Sequence, residues 1–263
     1  MVERAARAPI DGGAHAQARS FTGMPPPGLS DVRALTFDVF GTTVDWRTGV
    51  AAEARRVGAQ TGVHGDWERL ADGWRALYVP FMNRVRTGEL QWTNFDRLHR
   101  MSLDQVLREL GLEGFDNAAR EELTLAWERL PAWPEAAQGL SRLTKRFTVA
   151  TLSNGNRSQQ EALVQTTGLP FQRLLSAEDF RHYKPDPEVY LGAASALGLE
   201  PDQVMMVAAH KGDLRAAQAN GLRAAFVERP LEKGPDGGAD LLPDPAADVQ
   251  ATDFMDLADK LGF

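Results

Sequence analysis

Short apolar runs alternate with helical patterns along most of this chain. Four runs that end at a small or polar residue occupy residues 34–37, 147–152, 204–208 and 224–227. Helical patterns separate the later runs, namely "SQQEALVQTTGL", "DPEVYLGAASALGL" and "GDLRAAQANGL". Such continuous apolar runs are typical of parallel strands that crossover helices bury on both faces. The sequence therefore predicts an α/β fold with a doubly wound, Rossmann-like parallel sheet, whose functional groups gather at the carboxyl ends of the strands.

A long interval after the first run contains no convincing strand. Residues 48–132 instead carry amphipathic helical patterns: "DWERLADGWRALYVPFMNRV" places six apolar side chains on one stripe, and "FDRLHRMSLDQVLRELG" and "AREELTLAWERLPAWP" follow it. Pro131 and Pro134 end the last pattern. A helical insertion at this point predicts a cap domain, residues 48–132, over a core domain formed by residues 31–47 and 133–263. Residues 1–30 lack apolar periodicity and are predicted to be a flexible leader.

The composition restricts the kinds of partner this chain can have. There are 36 acidic and 29 basic residues, a formal charge of −7, and no Lys/Arg block, which argues against nucleic acid or an anionic membrane as a partner. No cysteine is present, so thiolate nucleophiles, disulfides and cysteine-bound metals are excluded. No apolar run approaches the roughly 20 residues that span a bilayer, and the N-terminus lacks a signal-peptide pattern. A cytoplasmic location is therefore expected.

Candidate catalytic residues stand at or near the predicted strand ends. Asp38 ends the first strand, Ser153 and Asn154 follow the second, Lys184 precedes the helix before the third, and Asp213 follows the third. Side chains at the carboxyl ends of parallel strands converge on one edge of a sheet. These groups suit covalent catalysis. One carboxylate attacks and the lysine holds its charge. The hydroxyl and the amide bind oxygens, and the second carboxylate positions water.

Each of these motifs also has a purely structural interpretation. A lone aspartate at a strand end is most often a turn or cap residue, and "SNG" is a common turn. "KPDP" can begin a helix with Pro187 near its first turn, and Asp213 can cap its helix. The structural interpretation becomes weaker when four such motifs occur in order near successive strand ends.

The four motifs together resemble a known superfamily of hydrolases. "FDVFGT", "LSNG", "YKPDP" and "VAAHKGD", in this order, resemble the haloacid dehalogenase superfamily over residues 31–260, and the helical insertion is similar to its cap. In the phosphatase branches the second residue after the nucleophile is usually an aspartate that protonates the leaving alcohol, whereas this chain has Phe40. A halide leaves without a proton. An aromatic residue at this position therefore resembles the L-2-haloacid dehalogenase subgroup, also called type II.

The resemblance assigns a role to each motif. Asp38 is expected to attack the halogen-bearing carbon with inversion and form an ester, and water oriented by Asp213 then attacks the carbonyl of that ester. Lys184 keeps Asp38 ionised. Ser153 and Asn154 bind oxygens of the substrate carboxylate or of the ester. The resemblance implies no cofactor and no metal, and it implies a small 2-haloacid and water as the substrates.

Further residues are expected to bind the substrate. The resemblance places Arg75, of the "DGWRALY" segment, where it grips the substrate carboxylate or the departing halide; a solvated helix position is the alternative. Thr42 supports the nucleophile loop, and Phe40 forms an apolar wall beside the leaving group. Trp92 and Phe95 are candidates for the pocket lining, although aromatic residues at helical spacing are more often core, which is the favoured interpretation.

His210 departs from the subgroup's usual pattern, which has asparagine at this position. A histidine there could donate to the leaving halide, bind the substrate carboxylate or assist Asp213 with water. The alternatives therefore include a fluoroacetate hydrolase and a hydrolase that opens the strained ring of azetidine-2-carboxylate. A small-molecule phosphatase and a catalytically silent binding protein are the others. The sequence leaves the oligomeric state open, a homodimer included.

Overall fold

A five-stranded parallel sheet forms the centre of the fold. The computed structural model describes residues 28–235 and 244–263, so all but the last three residues of the predicted leader lie outside it. The strands are β1 Ala34–Phe37, β2 Thr148–Thr151, β3 Val204–Ala208, β4 Arg223–Val227 and β5 Val249–Ala251. Their order is β2-β1-β3-β4-β5, and every neighbouring pair is parallel. The predicted α/β class is confirmed, whereas the three-residue β5 is too short for the apolar pattern that predicts the other four strands.

Helices cover the sheet and fill the interval after β1. In the described ranges they are α1 Trp46–Thr61, α2 Trp67–Ala76, α3 Tyr78–Arg86, α4 Phe95–Glu109, α5 Asn117–Thr124, α6 Ala136–Leu143, α7 Arg157–Thr167, α8 Ala177–Phe180, α9 Pro187–Leu197, α10 Lys211–Ala219 and α11 Phe254–Lys260. Two short 3₁₀ helices span Leu125–Glu128 and Pro201–Gln203. Among the helices of residues 28–235 and 244–263, none has both the length and the apolar character that crossing a membrane requires.

Side chains alternate between the two faces of the sheet, as the two-residue period of a strand requires. On one face Leu35, Phe37 and Val207 pack with α6 and α11. On the other face Met206 and Phe226 pack with α9 and α10. Because both faces are buried in this way, reactive polar groups are confined to the ends of the strands and to the loops that follow them.

The helices α1 to α5 occupy the interval between β1 and β2. They pack around an aromatic cluster in which the ring centroids of Trp74 and Trp127 lie 5.5 Å apart. The apolar stripe predicted over residues 67–85 is divided between two helices, α2 and α3, which meet at Leu77. Pro80 has no N–H to donate to the carbonyl four residues earlier, so one continuous helix would lack that hydrogen bond. The predicted stripe is therefore carried by two short helices.

Polar contacts join this helical segment to the sheet. The Oδ1 atom of Asn156 accepts the backbone N–H of Phe95 at 2.8 Å, and its Nδ2 donates to Asp96 at 2.6 Å. Arg86 at the end of α3 pairs with Asp186 just before α9 at 2.7 Å. Asn156 follows β2, so the helices are held over the carboxyl ends of the strands.

Candidate active site

Asp38 stands where β1 ends and is held rigidly there. Its backbone N–H donates to the carbonyl of Val207 in β3 at 3.0 Å, and the hydroxyl of Thr43 donates to the Asp38 carbonyl at 2.7 Å. Gly41 then turns the chain with a φ of 96°, and a Cβ atom at this position would collide with the carboxylate of Glu232. Asp38 is 8% exposed. It therefore presents a nearly buried carboxylate in one fixed orientation.

Three side chains bind the Asp38 carboxylate. The Lys184 ammonium donates to Oδ1 at 2.9 Å, and the Thr42 hydroxyl donates to Oδ2 at 2.8 Å. The Nδ1 atom of His210 lies 3.1 Å from the same Oδ2. Burial by itself raises the pKa of Asp38, but Lys184 and His210 together outweigh it and hold that pKa well below its ordinary value. The carboxylate is therefore ionised, as a nucleophile must be.

Lys184 lies between two carboxylates. Besides its contact with Asp38, its Nζ atom donates to Oδ2 of Asp213 at 2.5 Å. The hydroxyl of Tyr190 donates to the other Asp213 oxygen at 2.6 Å, and the backbone N–H of Lys184 donates to Oδ1 of Asn154 at 2.8 Å. Burial alone lowers the pKa of Lys184, but the two carboxylates raise it above its ordinary value. The lysine is thus a permanent cation that orients both acids.

His210 is held between two acids. Its Nε2 atom lies 2.9 Å from Oε1 of Glu232, and the indole N–H of Trp46 donates to the same oxygen at 3.0 Å. Burial opposes a charge on the imidazole, yet the hydrogen bonds to Asp38 and Glu232 raise the pKa of His210 to about 10. At neutral pH the ring is therefore an imidazolium that donates from one nitrogen to each acid.

Three residues of the site, Glu232, Tyr190 and Trp46, are not among those predicted from the sequence. Glu232 lies in the loop after β4, so the rule that functional groups gather at strand ends finds it once it is applied to the fourth strand. Tyr190 lies within α9 and Trp46 begins α1. Nothing in the sequence pattern distinguishes these two from ordinary core aromatic residues.

A cavity of about 270 Å³ opens beside the Asp38 carboxylate. The sheet edge supplies its polar side, and Tyr78, Val79 and Met82 of α3 cover it from the helical segment. A second cavity of about 430 Å³ adjoins it, and Arg75 and His210 line both. The space beside the Asp38 carboxylate therefore has one polar and one apolar wall.

Arg75 is the cation that the helical segment contributes to the cavity. Its guanidinium carbon lies 4.1 Å from the centroid of the Tyr78 ring and 5.6 Å from that of Trp46. Its Nε atom is buried and has no hydrogen-bond partner. The Arg75 side chain lines both cavities, so its positive charge lies where an anion would enter. The geometry thus favours anion binding over a solvated helix position.

The two residues of the "SN" pair have different surroundings. Asn154 lines the cavity, and its Nδ2 atom contacts the Sδ atom of Met82 at 3.2 Å. Ser153 is fully buried, and its Oγ accepts the backbone N–H of Gly155 at 3.0 Å. Ser153 does not line the cavity, so its predicted contact with substrate oxygens is corrected. The Ser153 hydroxyl is occupied in fixing the turn that presents Asn154.

Of the three aromatic candidates, only Phe40 lines the cavity. Phe95 packs behind it, with ring centroids 6.2 Å apart, and is 1% exposed. Trp92 stacks on Tyr183 at 4.9 Å and faces a different surface depression. Neither Phe95 nor Trp92 is among the residues that line the cavity, and both make the packing contacts that the favoured interpretation expects. Their effect on the site is to hold the Phe40 ring and the Lys184 loop in place.

The donor set around Asp38 does not fit a magnesium ion. Mg²⁺ requires about six oxygen ligands in octahedral geometry, whereas the carboxylates of Asp38 and Asp213 both bind the Lys184 ammonium. Phe40 offers neither a ligand nor a proton. Within residues 28–235 and 244–263, no group of three or more His, Cys, Asp or Glu side chains is arranged to hold a metal ion.

Comparison with known proteins identifies the family. A model of the haloacid dehalogenase-like hydrolases matches residues 32–221. A curated relative, (S)-2-haloacid dehalogenase 4A of Burkholderia cepacia, is 32% identical over 204 residues, which cover 76% of this chain and 85% of the relative. The chain belongs to the haloacid dehalogenase-like hydrolases, and the resemblance predicted from its four motifs is confirmed.

Solved structures agree with this family assignment. A defluorinating L-2-haloacid dehalogenase has a TM-score of 0.87 at 41% identity, covering 90% of this chain and 98% of the other. The L-2-haloacid dehalogenase of Xanthobacter autotrophicus, solved with chloropropionic acid covalently bound, has a TM-score of 0.73 at 26% identity, covering 87% and 97%. The similarity therefore extends over both the sheet and the helical segment.

Proposed function

We propose that this enzyme hydrolyses short 2-haloalkanoic acids to 2-hydroxy acids and halide. The observation that carries the proposal is an ionised nucleophile, Asp38, facing an apolar wall at Phe40, where a phosphatase needs a proton donor. A halide leaves as an anion, so it requires no such donor. Relatives named (S)-2-haloacid dehalogenase support the same reaction.

In the first step an oxygen of Asp38 attacks the carbon that bears the halogen. We assign Oδ1 as the attacking atom, because Oδ2 accepts hydrogen bonds from Thr42 and His210 whereas Oδ1 contacts only Lys184. The Oδ1–carbon bond forms as the carbon–halogen bond breaks, and the halide departs with the electron pair. Attack from the side opposite the halide inverts the carbon and leaves an ester on Asp38.

In the second step water hydrolyses this ester at Cγ of Asp38. Asp213 takes a proton from the water as its oxygen bonds to Cγ, and the carbonyl electron pair moves onto Oδ2, which Thr42 and His210 already face. When the carbonyl re-forms, the Cγ–Oδ1 bond breaks, and the product alkoxide takes the proton from Asp213. The second water proton leaves from the regenerated Asp38, whose pKa is held low.

The substrate carboxylate is bound on the opposite side of the cavity. The Arg75 guanidinium, which lines the cavity, gives it a charge-assisted hydrogen bond. The amide Nδ2 of Asn154 lies at the cavity wall beside the weak acceptor Met82 Sδ and the Tyr78 hydroxyl, and we assign it to a second carboxylate oxygen. Two such contacts orient the carbon beside the carboxylate toward Asp38.

Halide release should be independent of divalent metal. We expect dialysed enzyme to release chloride from (S)-2-chloropropionate at the same rate with and without EDTA, because Lys184 occupies the place between the two carboxylates. Ion chromatography of a panel of chloro-, bromo- and fluoro-acids measures this. A phosphate monoester with Mg²⁺ is the control substrate. Phosphate release that requires Mg²⁺, without halide release, would favour a phosphatase, and inactivity on both would favour a binding protein.

Fluoroacetate is a second candidate substrate, because an imidazolium at position 210 stands beside the nucleophile and a similar structure belongs to a defluorinating enzyme. Fluoride depends most strongly on nearby positive charge as it departs, and the imidazolium supplies such a charge although both of its nitrogens are hydrogen-bonded to acids. His210→Asn is therefore expected to lower kcat/KM for fluoroacetate more than for bromoacetate, by about one further power of ten. Halide electrode measurements on both acids give the ratio. Equal losses in kcat/KM would place His210 in carboxylate binding, and a lower kcat at unchanged kcat/KM would place it in ester hydrolysis alone.

The remaining assignments stay predictions with simple tests. Light scattering after gel filtration distinguishes a homodimer from a monomer. Limited proteolysis locates the boundaries proposed for the cap at residues 48 and 132. Fractionation of the source cells tests the cytoplasmic location, and release of a ring-opened product from azetidine-2-carboxylate tests the ring-opening alternative.

A further inference from the structure

Glu232 is a buried carboxylate that reaches the nucleophile only through His210. It lies in the loop after β4, is 3% exposed, and accepts hydrogen bonds on one oxygen from His210 and Trp46. Burying an ionised carboxylate is costly unless a cation pairs with it. Burial raises the pKa of Glu232, but the bond to His210 outweighs this and lowers it below its ordinary value. Glu232 and His210 therefore form a buried ion pair beside the reacting carboxylate.

We infer that Glu232 is a positioning residue for the hydrolysis of the ester, because it holds a proton on both nitrogens of His210 and so keeps Nδ1 a donor to Oδ2 of Asp38. This inference rests on the proposed function. In that reaction Oδ2 becomes the carbonyl oxygen of the ester and carries negative charge while water adds to Cγ. Preformed donors at such an oxygen stabilise the transition state.

The need for Glu232 arises from a change of charge during the reaction. In the free enzyme both Asp38 and Glu232 favour the imidazolium. Once the ester has formed, Asp38 is neutral, and Glu232 is the anion still hydrogen-bonded to His210. Without its charge, the buried ring would lose a proton at neutral pH. A neutral acceptor in place of the Glu232 carboxylate would then keep the remaining proton on Nε2. The Nδ1 atom would have no proton, and its lone pair would face the developing oxyanion.

Other charged groups line the two cavities with His210. The acids are Asp38, Asp72, Asp213 and Glu232, and the cations are Arg75, Lys184 and Lys233. Among these, the acids hydrogen-bonded to the imidazole are Asp38 and Glu232. His210 transfers no proton in this scheme: the water proton passes to Asp213 and then to the product, and both imidazole protons stay in place.

Glu232→Gln tests the inference, because glutamine keeps the shape and an acceptor for Nε2 but removes the charge. Glu228→Gln, in the same loop, is the matched control. Quenched-flow measurement of halide should show a first turnover near the wild-type rate and then a steady state slower by about 10- to 100-fold. Mass spectrometry of the Asp38 peptide should show the ester accumulating. The alkaline limb of the kcat–pH profile should move to lower pH, since the variant imidazole loses its proton sooner.

Glu232→Asp, which keeps the charge, should recover part of the steady-state rate. Equal losses in the first turnover and the steady state, with no ester and an unchanged pH profile, would overturn the inference. Wild-type enzyme that releases no halide at all would instead contradict the proposed function, and the inference with it.

If Glu232→Gln does not fold, ¹⁵N NMR of histidine-labelled wild type decides. Two protonated nitrogens on His210 during turnover, while the ester is present, support the inference, and a neutral ring refutes it.

Discussion

Asp38→Asn is expected to abolish halide release while the fold remains intact. An amide has nearly the shape of a carboxylate but is far too weak a nucleophile to displace a halide. Steady-state halide release measures the loss, and circular dichroism checks the fold. Asp45→Asn is the matched control in the same loop, because Asp45 only accepts the Thr48 N–H at the start of α1 and asparagine caps helices equally well. That variant should keep wild-type activity.

The same residue predicts the fate of the water oxygen. A single turnover in ¹⁸O water should place the label in the Asp38 carboxylate, because water adds to Cγ and Oδ1 leaves with the product. Mass spectrometry of the Asp38 peptide and of the hydroxy acid locates the label. Label found in the hydroxy acid alone would show that water attacks the substrate directly. In that event Asp38 would be a general base, and the ester mechanism would be wrong.

Arg75 should show a graded loss of activity on substitution. A charge-assisted hydrogen bond contributes about 1.5–3 kcal/mol, so Arg75→Lys, which loses the planar two-pronged donor, should lower kcat/KM roughly 10- to 100-fold. Arg75→Met removes the cation altogether and should cost roughly 100- to 10,000-fold if two such bonds are lost. Arg69→Met, an exposed position on the same helix, should leave the rate unchanged.

The kinetic constants of the Arg75 variants distinguish two roles. If Arg75 grips the substrate carboxylate equally in the ground and transition states, KM rises and kcat changes little. If it stabilises the departing halide, kcat falls and the loss differs between chloride and bromide. A fully active Arg75→Met together with an inactive Arg69→Met would move the anion site to Arg69. Such a result would show that the helix α2 does not present Arg75 to the substrate in solution.

The sequence pattern was sufficient to predict the parallel sheet and to place polar side chains at its edge. An uninterrupted apolar run is fully buried only when helices cover both faces of its strand. A run of four or five apolar residues is therefore enough to predict each of the strands β1 to β4. Asp38 ends the first run, Asp213 follows the third and Lys184 lies in the loop before the helix that leads to it, and the fold brings the three together. The strand β5 was not predicted, because three residues are too few to show the apolar pattern of a strand.

Tertiary structure decided the neighbours of these groups. Ser153 and Asn154 are adjacent in sequence, yet the turn buries one hydroxyl and exposes one amide to the cavity. Phe40 and Phe95 are both aromatic and buried, and only their packing order shows which one lines the cavity. Glu232 became a partner of His210 because β3 and β4 are adjacent in the sheet, which places the loops that follow them side by side. Residue types and spacings determined the class of chemistry. The charge state of His210 depended instead on contacts between residues far apart in the chain, which local sequence patterns do not encode.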